Sequence, residues 1–508
     1  MPWKQVSTSP HVWQRPLGEN ERMIKWLGGQ SHPIGKDHWA ITASARMRLS
    51  GIDAKVVDAL PSFRALQQAW LLLRFHHPDI ATVAGSEIVE YTIPEDEATK
   101  WLWLDETLHM VSDASTTVDD VIASLKPSKY TVAFFLPHAK QFVLSTAHWR
   151  TDGFGILHLL NDFFDALSVV VGSSLAQHDG VDIASSLPWG QERTRLHPNI
   201  EEVLSLPSEP TEEICAASTA CLATGGFVKG SVGVPWQDVK ASAQHAGGTR
   251  GIRRTLSTAT TKAVLESCAT KNVRLLAAAH ASLAKVNFLA AAPKAERSTN
   301  GAGANLYDSF EPSHYTSTMR FSLRPYLPSP FGSATYAATL YTGGYLAKVS
   351  SDQSWQDWAD FYESQYAKGL AGEFLIARRE YARRALKLFQ QASGAGTPPR
   401  SEIDISSVGD AEKLIAPRRR LGSTKVGDED VAHLGLGIEA GISDAELEVE
   451  DISVGVECAQ RESYLFLWTF RGHVELYLVY NSAFYEAKYM EGLLHQVEAT
   501  LLTELGVS

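Results

Sequence analysis

The apolar positions in the first part of the chain follow a helical spacing and then a strand spacing. In Leu60–Phe75 an apolar residue recurs every three or four positions, and Pro78 follows the segment closely. This pattern predicts an amphipathic helix that ends before the proline. Glu87–Ile93 then alternates between apolar and polar residues, which predicts a strand.

A second strand-like region precedes the most informative segment of the chain. Thr131–Leu136 and Gln141–Ala147 are apolar and rich in strand-forming residues, and the four residues between them predict a hairpin. His148–Gly153 follows the second strand at once. Phe154–Val171 then repeats apolar residues at helical spacing. The segment His148–Gly153 is therefore predicted to be a short turn between a strand and a long helix.

The pattern is lost between residues 172 and 251, where Ser, Pro, Gly and acidic residues dominate, and it returns afterwards. Such a composition favours a crossover connection over a core element. The later predicted elements are helices over Ser257–Lys271, Val273–Val286, Trp355–Phe389 and Tyr489–Leu505, and strands over Met319–Leu323, Ile452–Cys458, Tyr464–Phe470 and His473–Tyr480. Helices and strands are mixed in both halves. We therefore expect an α/β protein with an N-terminal lobe over residues 1–175, a crossover over 176–250 and a C-terminal lobe over 251–508.

Composition narrows the classes of function. The 508 residues carry 46 Lys and Arg against 58 Asp and Glu, a formal net charge of −12. This balance argues against a general nucleic-acid binder, which needs a basic surface. Four cysteines without a CxxC pair favour a reducing compartment and argue against a zinc site. No secretory signal and no membrane-spanning stretch is expected, so we expect a soluble cytoplasmic monomer without a bound metal.

The segment His148–Gly153 carries the clearest chemical signal, the pattern His-x-x-x-Asp-Gly. A neutral imidazole held on a turn can accept a proton from a hydroxyl that attacks a carbonyl group. Asp152 can stabilise the turn through an ion pair or by capping the following helix. Gly153 allows a tight turn with little bulk. The pattern alone also occurs by chance, and its position between a strand and a helix is what favours a catalytic role for His148.

With these residues the chain resembles the coenzyme A-dependent acyltransferase superfamily, and within it the fungal trichothecene 15-O-acetyltransferases. The resemblance extends over most of the chain in four stretches: Ala69–Thr82, Ser145–Phe164, Thr318–Pro330 and Tyr480–Tyr485. It implies two similar α/β lobes of the chloramphenicol acetyltransferase kind with a tunnel between them. It also implies acetyl-CoA as co-substrate and direct transfer of the acetyl group to a hydroxyl of a small secondary metabolite, such as C-15 of a trichothecene sesquiterpenoid.

The resemblance also implies roles for individual residues. His148 would be the general base, and Asp152 would be structural, paired with an arginine from the other lobe. Arg324 is the first candidate for that arginine, and Arg320 is the second. Gly153 would leave room for the substrate or keep the turn tight.

The CoA contacts are less well defined. The Asp-Phe-Gly-Trp-Gly segment of plant-type members is absent, and Ile405–Lys413 is the nearest substitute by position. Arg418, Arg419 and Arg420 are candidates for binding the CoA phosphates, as is Arg378–Arg384, although both clusters also fit a solvated surface. The glycines of Gly435–Gly441 imitate a dinucleotide-binding pattern, but the expected βαβ context is missing and a loop is the better interpretation.

Two other functions remain open from the sequence. One is a condensation-type enzyme that forms an amide from carrier-bound acyl groups. The other is a catalytically silent binding protein on the same scaffold. The intact His148–Gly153 segment argues against the silent protein. A condensation-type enzyme would need a docking surface for a carrier protein and would not use free acetyl-CoA.

Overall fold

The computed structural model describes residues 3–51, 60–176, 183–236, 248–297, 314–392, 400–422, 425–426, 429–430 and 445–507. The α-helices of this part of the chain are α1 Glu19–Gly29, α2 Phe63–His76, α3 Glu97–Thr107, α4 Val118–Ser124, α5 Gly153–Ala176, α6 Ile200–Val203, α7 Glu212–Ala223, α8 Thr258–Thr270, α9 Leu275–Arg297, α10 Trp355–Lys368, α11 Gly372–Ile376, α12 Arg378–Ala392 and α13 Ala487–Leu505.

The strands of the same ranges are β1 Lys4–Val6, β2 Ser9–Pro16, β3 Ile41–Ser50, β4 Val83–Ala84, β5 Ile88–Thr92, β6 Leu108–Met110, β7 Val132–Leu136, β8 Gln141–Thr146, β9 Thr249–Thr255, β10 His314–Ser322, β11 Thr342–Ser350, β12 Ile403–Asp410, β13 Arg418–Arg420, β14 Lys425–Val426, β15 Glu429–Asp430, β16 Glu446–Val456, β17 Ser463–Phe470 and β18 His473–Asn481. The dinucleotide-like Gly435–Gly441 lies outside the described residues.

The first lobe is built on a six-stranded mixed sheet in the order β13-β16-β3-β8-β7-β6. Strands β7 and β8 form the predicted antiparallel hairpin, in which Val132 pairs with Ser145. Helices α2 and α5 pack against each other beside this sheet. Aromatic rings fill the space between sheet and helices, and the rings of Phe142 and Phe163 stack with their centroids 3.9 Å apart. The apolar face of α5 is thus buried, as its helical spacing predicts.

The second lobe has a four-stranded sheet in the order β12-β17-β18-β9, with β10 and β11 as a separate antiparallel pair. Helices α9 and α13 pack against each other in a second apolar core, distinct from that of the first lobe. Strand β10 begins earlier than the predicted Met319–Leu323. The predicted helical segment Trp355–Phe389 is divided into α10, α11 and α12. The predicted mixed α/β architecture with two lobes is confirmed.

The lobes do not correspond to the two predicted ranges, 1–175 and 251–508. The sheet of the first lobe also contains strands from the second range. Strand β16, from the C-terminal part of the chain, pairs antiparallel with β3 in the first lobe, with Val454 opposite Ala43. Alternation of apolar residues indicates which face of a strand is buried, but it does not identify the partner strand. The range 176–250 is also more structured than a linker, because α7 lies within it and packs against α12.

The expectation that no stretch reaches membrane-spanning length needs correction. Gly153–Ser174 and Leu275–Ala292 are long and apolar enough by composition alone, although the first contains several polar residues. Both segments are mostly buried inside the protein, in α5 and α9. Core helices of this kind pass the same test of length and hydropathy.

Candidate active site

The turn between β8 and α5 holds the His-x-x-x-Asp-Gly residues. The helix begins at Gly153, and the Asp152 side chain accepts a hydrogen bond of 2.8 Å from the Gly155 backbone N–H. An aspartate directly before a helix caps the free N–H groups of its first turn. The Thr151 hydroxyl donates to the Ala337 carbonyl at 2.7 Å, which ties the turn to a segment of the second lobe.

His148 is half-buried, and its orientation is set by the same turn. Its Nδ1 atom lies 2.8 Å from the carbonyl oxygen of Thr151. A carbonyl oxygen can only accept, so Nδ1 must carry the proton in this contact. The Nε2 atom of the neutral ring then keeps its lone pair and can accept a proton.

His148 lines a cavity of about 590 Å³ to which both lobes contribute. The first lobe supplies Trp39, His148 and Phe154, and the second supplies Arg320 and Tyr345 among others. A cavity of this size holds a drug-sized molecule, and its walls are mainly apolar with a few polar groups. The imidazole therefore faces a cavity that both lobes line.

Asp152 and Arg324 form a buried ion pair between the lobes. The guanidinium Nη1 atom donates to both carboxylate oxygens, at 2.8 and 2.6 Å. The Tyr341 backbone N–H also donates to Asp152, at 3.0 Å. Arg320, the second candidate partner, instead pairs with Asp404 at 2.9 Å. Because four hydrogen bonds occupy the Asp152 carboxylate, it suits a structural role better than proton transfer.

Two glycines let α5 start close to the second lobe. A Cβ atom on Gly153 would lie 3.3 Å from Val408, a tight contact. A Cβ atom on Gly155 would lie 2.2 Å from the Ala337 carbonyl oxygen, which no native contact permits. Sequence reasoning singled out Gly153 and missed Gly155, although the repeated glycine of Asp-Gly-Phe-Gly is a readable signal.

Comparisons with known proteins place this chain in a family. No protein-family model matches the chain. The sequence is 41% identical to the acetyltransferase pigO of Monascus ruber, over 100% of this chain and 99% of that protein. The chain belongs to the CoA-dependent acyltransferase superfamily. The O-acetyltransferase pigM of the same fungus is 24% identical, over 100% of this chain and 88% of that protein.

A solved structure supports the fold of this acyltransferase. The trichothecene 15-O-acetyltransferase TRI3 of Fusarium sporotrichioides superimposes with a TM-score of 0.75 at 15% identity. The match covers 99% of this chain and 97% of TRI3. The two-lobed architecture is therefore shared over essentially the whole length, and the protein is an acetyltransferase by family.

The acyltransferase cavity does not include the arginine cluster of β13. Among the described residues that line it, Arg418, Arg419 and Arg420 are absent. Arg419 is buried and forms an ion pair with Asp165 of α5. Arg418 is exposed and lies 3.6 Å from Glu448. The structure therefore brings His148, Asp152, Gly153 and Arg324 together and leaves this cluster apart.

A charged and hydroxyl-bearing wall of the cavity was missed by the sequence reasoning. Its backbone is strained at Trp39, where φ is +67°. The Trp39 indole N–H donates to the Tyr464 hydroxyl at 2.7 Å, and that hydroxyl donates to Glu462 at 2.8 Å. These residues are far apart in sequence and belong to no contiguous motif, so no local signal could have identified them.

His158 lies on α5, about one turn beyond the motif. Burial, with the nearby Arg324 guanidinium, lowers the pKa of His158 to about 4. A neutral, half-buried imidazole at this position fits a packing role. His148 is consequently the histidine of this helix–turn region that faces the cavity.

Proposed function

We propose that this enzyme transfers an acetyl group from acetyl-CoA to a hydroxyl group of a small secondary metabolite, with His148 as general base. The observation that carries the proposal is the hydrogen bond from His148 Nδ1 to the Thr151 carbonyl, since it leaves Nε2 as the acceptor in the cavity between the lobes. A positioned base of this kind contributes roughly 10²- to 10⁴-fold to the rate.

The reaction proceeds without a covalent enzyme intermediate. The acceptor O–H proton moves to His148 Nε2 as the oxygen attacks the thioester carbonyl carbon. The tetrahedral intermediate then collapses, the C–S bond breaks, and the imidazolium returns the proton to the CoA sulfur. Binding both substrates in one cavity supplies the proximity that the direct attack needs.

The acceptor we propose is the C-15 hydroxyl of a trichothecene sesquiterpenoid. Support comes from the fold shared with TRI3, a trichothecene 15-O-acetyltransferase, over 99% of this chain. The cavity also fits a compact apolar acceptor, because Met23, Leu222 and Phe389 are among its apolar wall residues. Apolar walls with a few polar groups are typical of sites that bind such molecules.

The chain is proposed to act as a cytoplasmic monomer. Both lobes that form the cavity come from one chain, so the site needs no second copy. Cys215, Cys221, Cys268 and Cys458 are all free thiols, which suits a reducing compartment.

The test is incubation of the purified protein with acetyl-CoA and a panel of hydroxylated terpenoids, with the release of free thiol and the acetylated product both measured. We expect stoichiometric thiol and ester with at least one 15-hydroxylated trichothecene, and a rate lower by roughly 10²- to 10⁴-fold with His148→Ala. Transfer to other hydroxylated metabolites alone would overturn the trichothecene assignment and keep the acetyl transfer. Amide formation from a carrier-bound acyl group, without use of acetyl-CoA, would overturn the proposal.

A further inference from the structure

Arg378 is a buried cation on the wall of the cavity. It is the first residue of α12, and only 5% of its surface is exposed. Its guanidinium carbon lies over the rings of Phe374 and Tyr381, at 5.6 and 5.2 Å from their centroids. The side chain therefore packs against two aromatic rings and lines the cavity in which a substrate would bind.

The polar contacts of Arg378 are incomplete. The Nη2 atom donates to the Asn20 side-chain oxygen at 2.5 Å, whereas the buried Nε atom has no acceptor. Within the described part of the chain no carboxylate oxygen lies within 4 Å of this guanidinium. The other arginines at the start of α12 differ, because Arg379 and Arg383 pair with Glu19 and Arg384 pairs with Glu380.

Glu201 interacts electrostatically with Arg378, but it does not fully balance the positive charge of the guanidinium. Glu201 accepts a 2.7 Å hydrogen bond from the Asn20 backbone N–H and interacts with Arg378 only through space. Burial raises the pKa of Glu201 to about 7, so near neutral pH this carboxyl is only partly ionised. Arg378 thus remains a cation whose charge the described protein groups balance incompletely.

The other arginines among the described cavity-lining residues have carboxylate partners. Arg320 is paired with Asp404, and Arg400 has Glu402 and Glu462 as partners. Those charges are compensated within the protein. Since an unpaired buried charge is costly while a paired and hydrogen-bonded one is tolerated, Arg378 is the cavity arginine suited to receive charge from a ligand.

We infer that Arg378 binds an acidic oxygen group, a carboxylate or an ionised enol, on an otherwise apolar acceptor. This inference rests on the proposed acetyl transfer to a small secondary metabolite; it departs from the trichothecene acceptor, which carries no such acidic group. A planar guanidinium matches two oxygens of such a group. The aromatic and apolar neighbours of Arg378 favour a single anionic group on an apolar molecule over the multiply charged phosphates of CoA.

A binding experiment tests the inference without reference to catalysis. The probes are 2-naphthoate and its neutral analogue 2-naphthylmethanol, titrated into the wild-type protein with intrinsic tryptophan fluorescence and calorimetry as readouts. A charged hydrogen bond of this kind is worth about 10- to 100-fold in affinity. We expect the wild-type protein to prefer the carboxylate by at least about tenfold. Equal binding of the two probes would overturn the inference.

Variants then assign the preference to one residue. Arg378→Met should bind both probes equally, and Arg378→Lys should keep part of the preference. Lys387→Met removes one positive charge from an exposed position of the same helix and should bind like wild type. An equal loss in Lys387→Met would show a general charge effect and overturn the assignment. If Arg378→Met fails to fold, Arg378→Lys and the wild-type comparison still decide the question.

Steady-state kinetics distinguishes an effect of Arg378 on the acceptor from an effect on acetyl-CoA. Once an acceptor is known, Arg378→Met should lower kcat/KM for its acidic form by about tenfold or more and leave KM for acetyl-CoA unchanged. A raised KM for acetyl-CoA would place CoA phosphate on Arg378 and overturn the inference. If the wild-type protein acetylates nothing, the proposed function fails, while the naphthoate preference still reports on Arg378.

Discussion

The Nδ1 atom of His148 donates its proton to the backbone carbonyl of Thr151, 2.8 Å away in the same turn. The backbone thus selects the tautomer of the ring, a task that a carboxylate performs in many hydrolases. Asp152 is free of that task and instead joins the two lobes through Arg324. Substitutions can therefore test the proposed base, His148, and the Asp152–Arg324 ion pair independently of each other.

Replacement of His148 with alanine should remove the base and leave the fold intact. The ring is half-buried, and its side-chain hydrogen bond is made within its own turn. We expect kcat to fall by roughly 10²- to 10⁴-fold, with CoA binding and melting temperature nearly unchanged. Single-turnover kinetics, calorimetry with CoA and thermal unfolding check this. Turnover near the wild-type level would contradict the role of His148.

Asp152→Asn should lower stability as well as rate. It leaves the buried Arg324 guanidinium without its carboxylate, and breaking such a pair costs about 3–5 kcal/mol. Denaturant unfolding measures the loss. The matched control is Lys262→Ala, since Lys262 and Glu266 form an exposed pair worth about 0–1 kcal/mol. A fully stable but inactive Asp152→Asn protein would contradict the structural role.

Gly155→Ala should be strongly destabilising, because the new Cβ atom would lie 2.2 Å from the Ala337 carbonyl oxygen. We expect a loss of about 1–3 kcal/mol or more, with a shift of α5 against the second lobe. Gly492→Ala in α13 is the control: a Cβ atom there meets nothing within 4 Å, and alanine favours a helix. Equal effects of the two substitutions on the unfolding free energy would show that the close approach is unimportant.

Glu201 should make the stability depend on pH. Burial, together with repulsion from Glu21, raises the pKa of Glu201 from an ordinary 4.5 to about 7. The folded state therefore holds a proton that the unfolded chain releases, and this stabilisation is complete below pH 4.5 and is lost as the pH rises to about 7. Glu201→Gln should lack this decline, which amounts to about 3 kcal/mol across the window. Denaturant unfolding at several pH values measures the difference, and parallel curves for both proteins would contradict it.

Arg419 and its two neighbours should behave differently on substitution. Arg419→Met removes the buried partner of Asp165 and should destabilise the protein by about 3–5 kcal/mol. The double variant Arg418→Ala and Arg420→Ala alters two exposed side chains that do not line the cavity, so we expect KM for acetyl-CoA to stay within about threefold of wild type. A tenfold rise in KM would instead indicate that CoA phosphate docks on β13.

The sequence carried enough information for the local elements around the site. The hairpin of β7 and β8, the turn at His148 and the long helix α5 all follow from apolar periodicity and turn residues, because these are properties of neighbouring residues. The arginine that meets Asp152 was named as a candidate only from the family resemblance. Its position depends on how two lobes dock, which periodicity does not encode.

Three further features were not predicted from the local sequence pattern. Helix α7 was missed because its small residues give a weak amphipathic pattern. The pair of Trp39 and Tyr464 joins residues that are 425 positions apart. The burial of Arg378 and Arg419 depends on packing between distant segments, whereas a run of arginines in the sequence indicates only charge.

The pairing of β16 with β3 has a consequence for how the chain is made. Arg48 in β3 and Glu448 in β16 are hydrogen-bonded neighbours separated by 400 positions. The sheet beside His148 is therefore incomplete while the ribosome is still synthesising the rest of the protein. Folding during synthesis proceeds from the N-terminus. One edge of β3 therefore stays unpaired until β16 has been synthesised. The part of the enzyme that carries His148 is translated first, but its sheet is completed only after the C-terminal strand has been made.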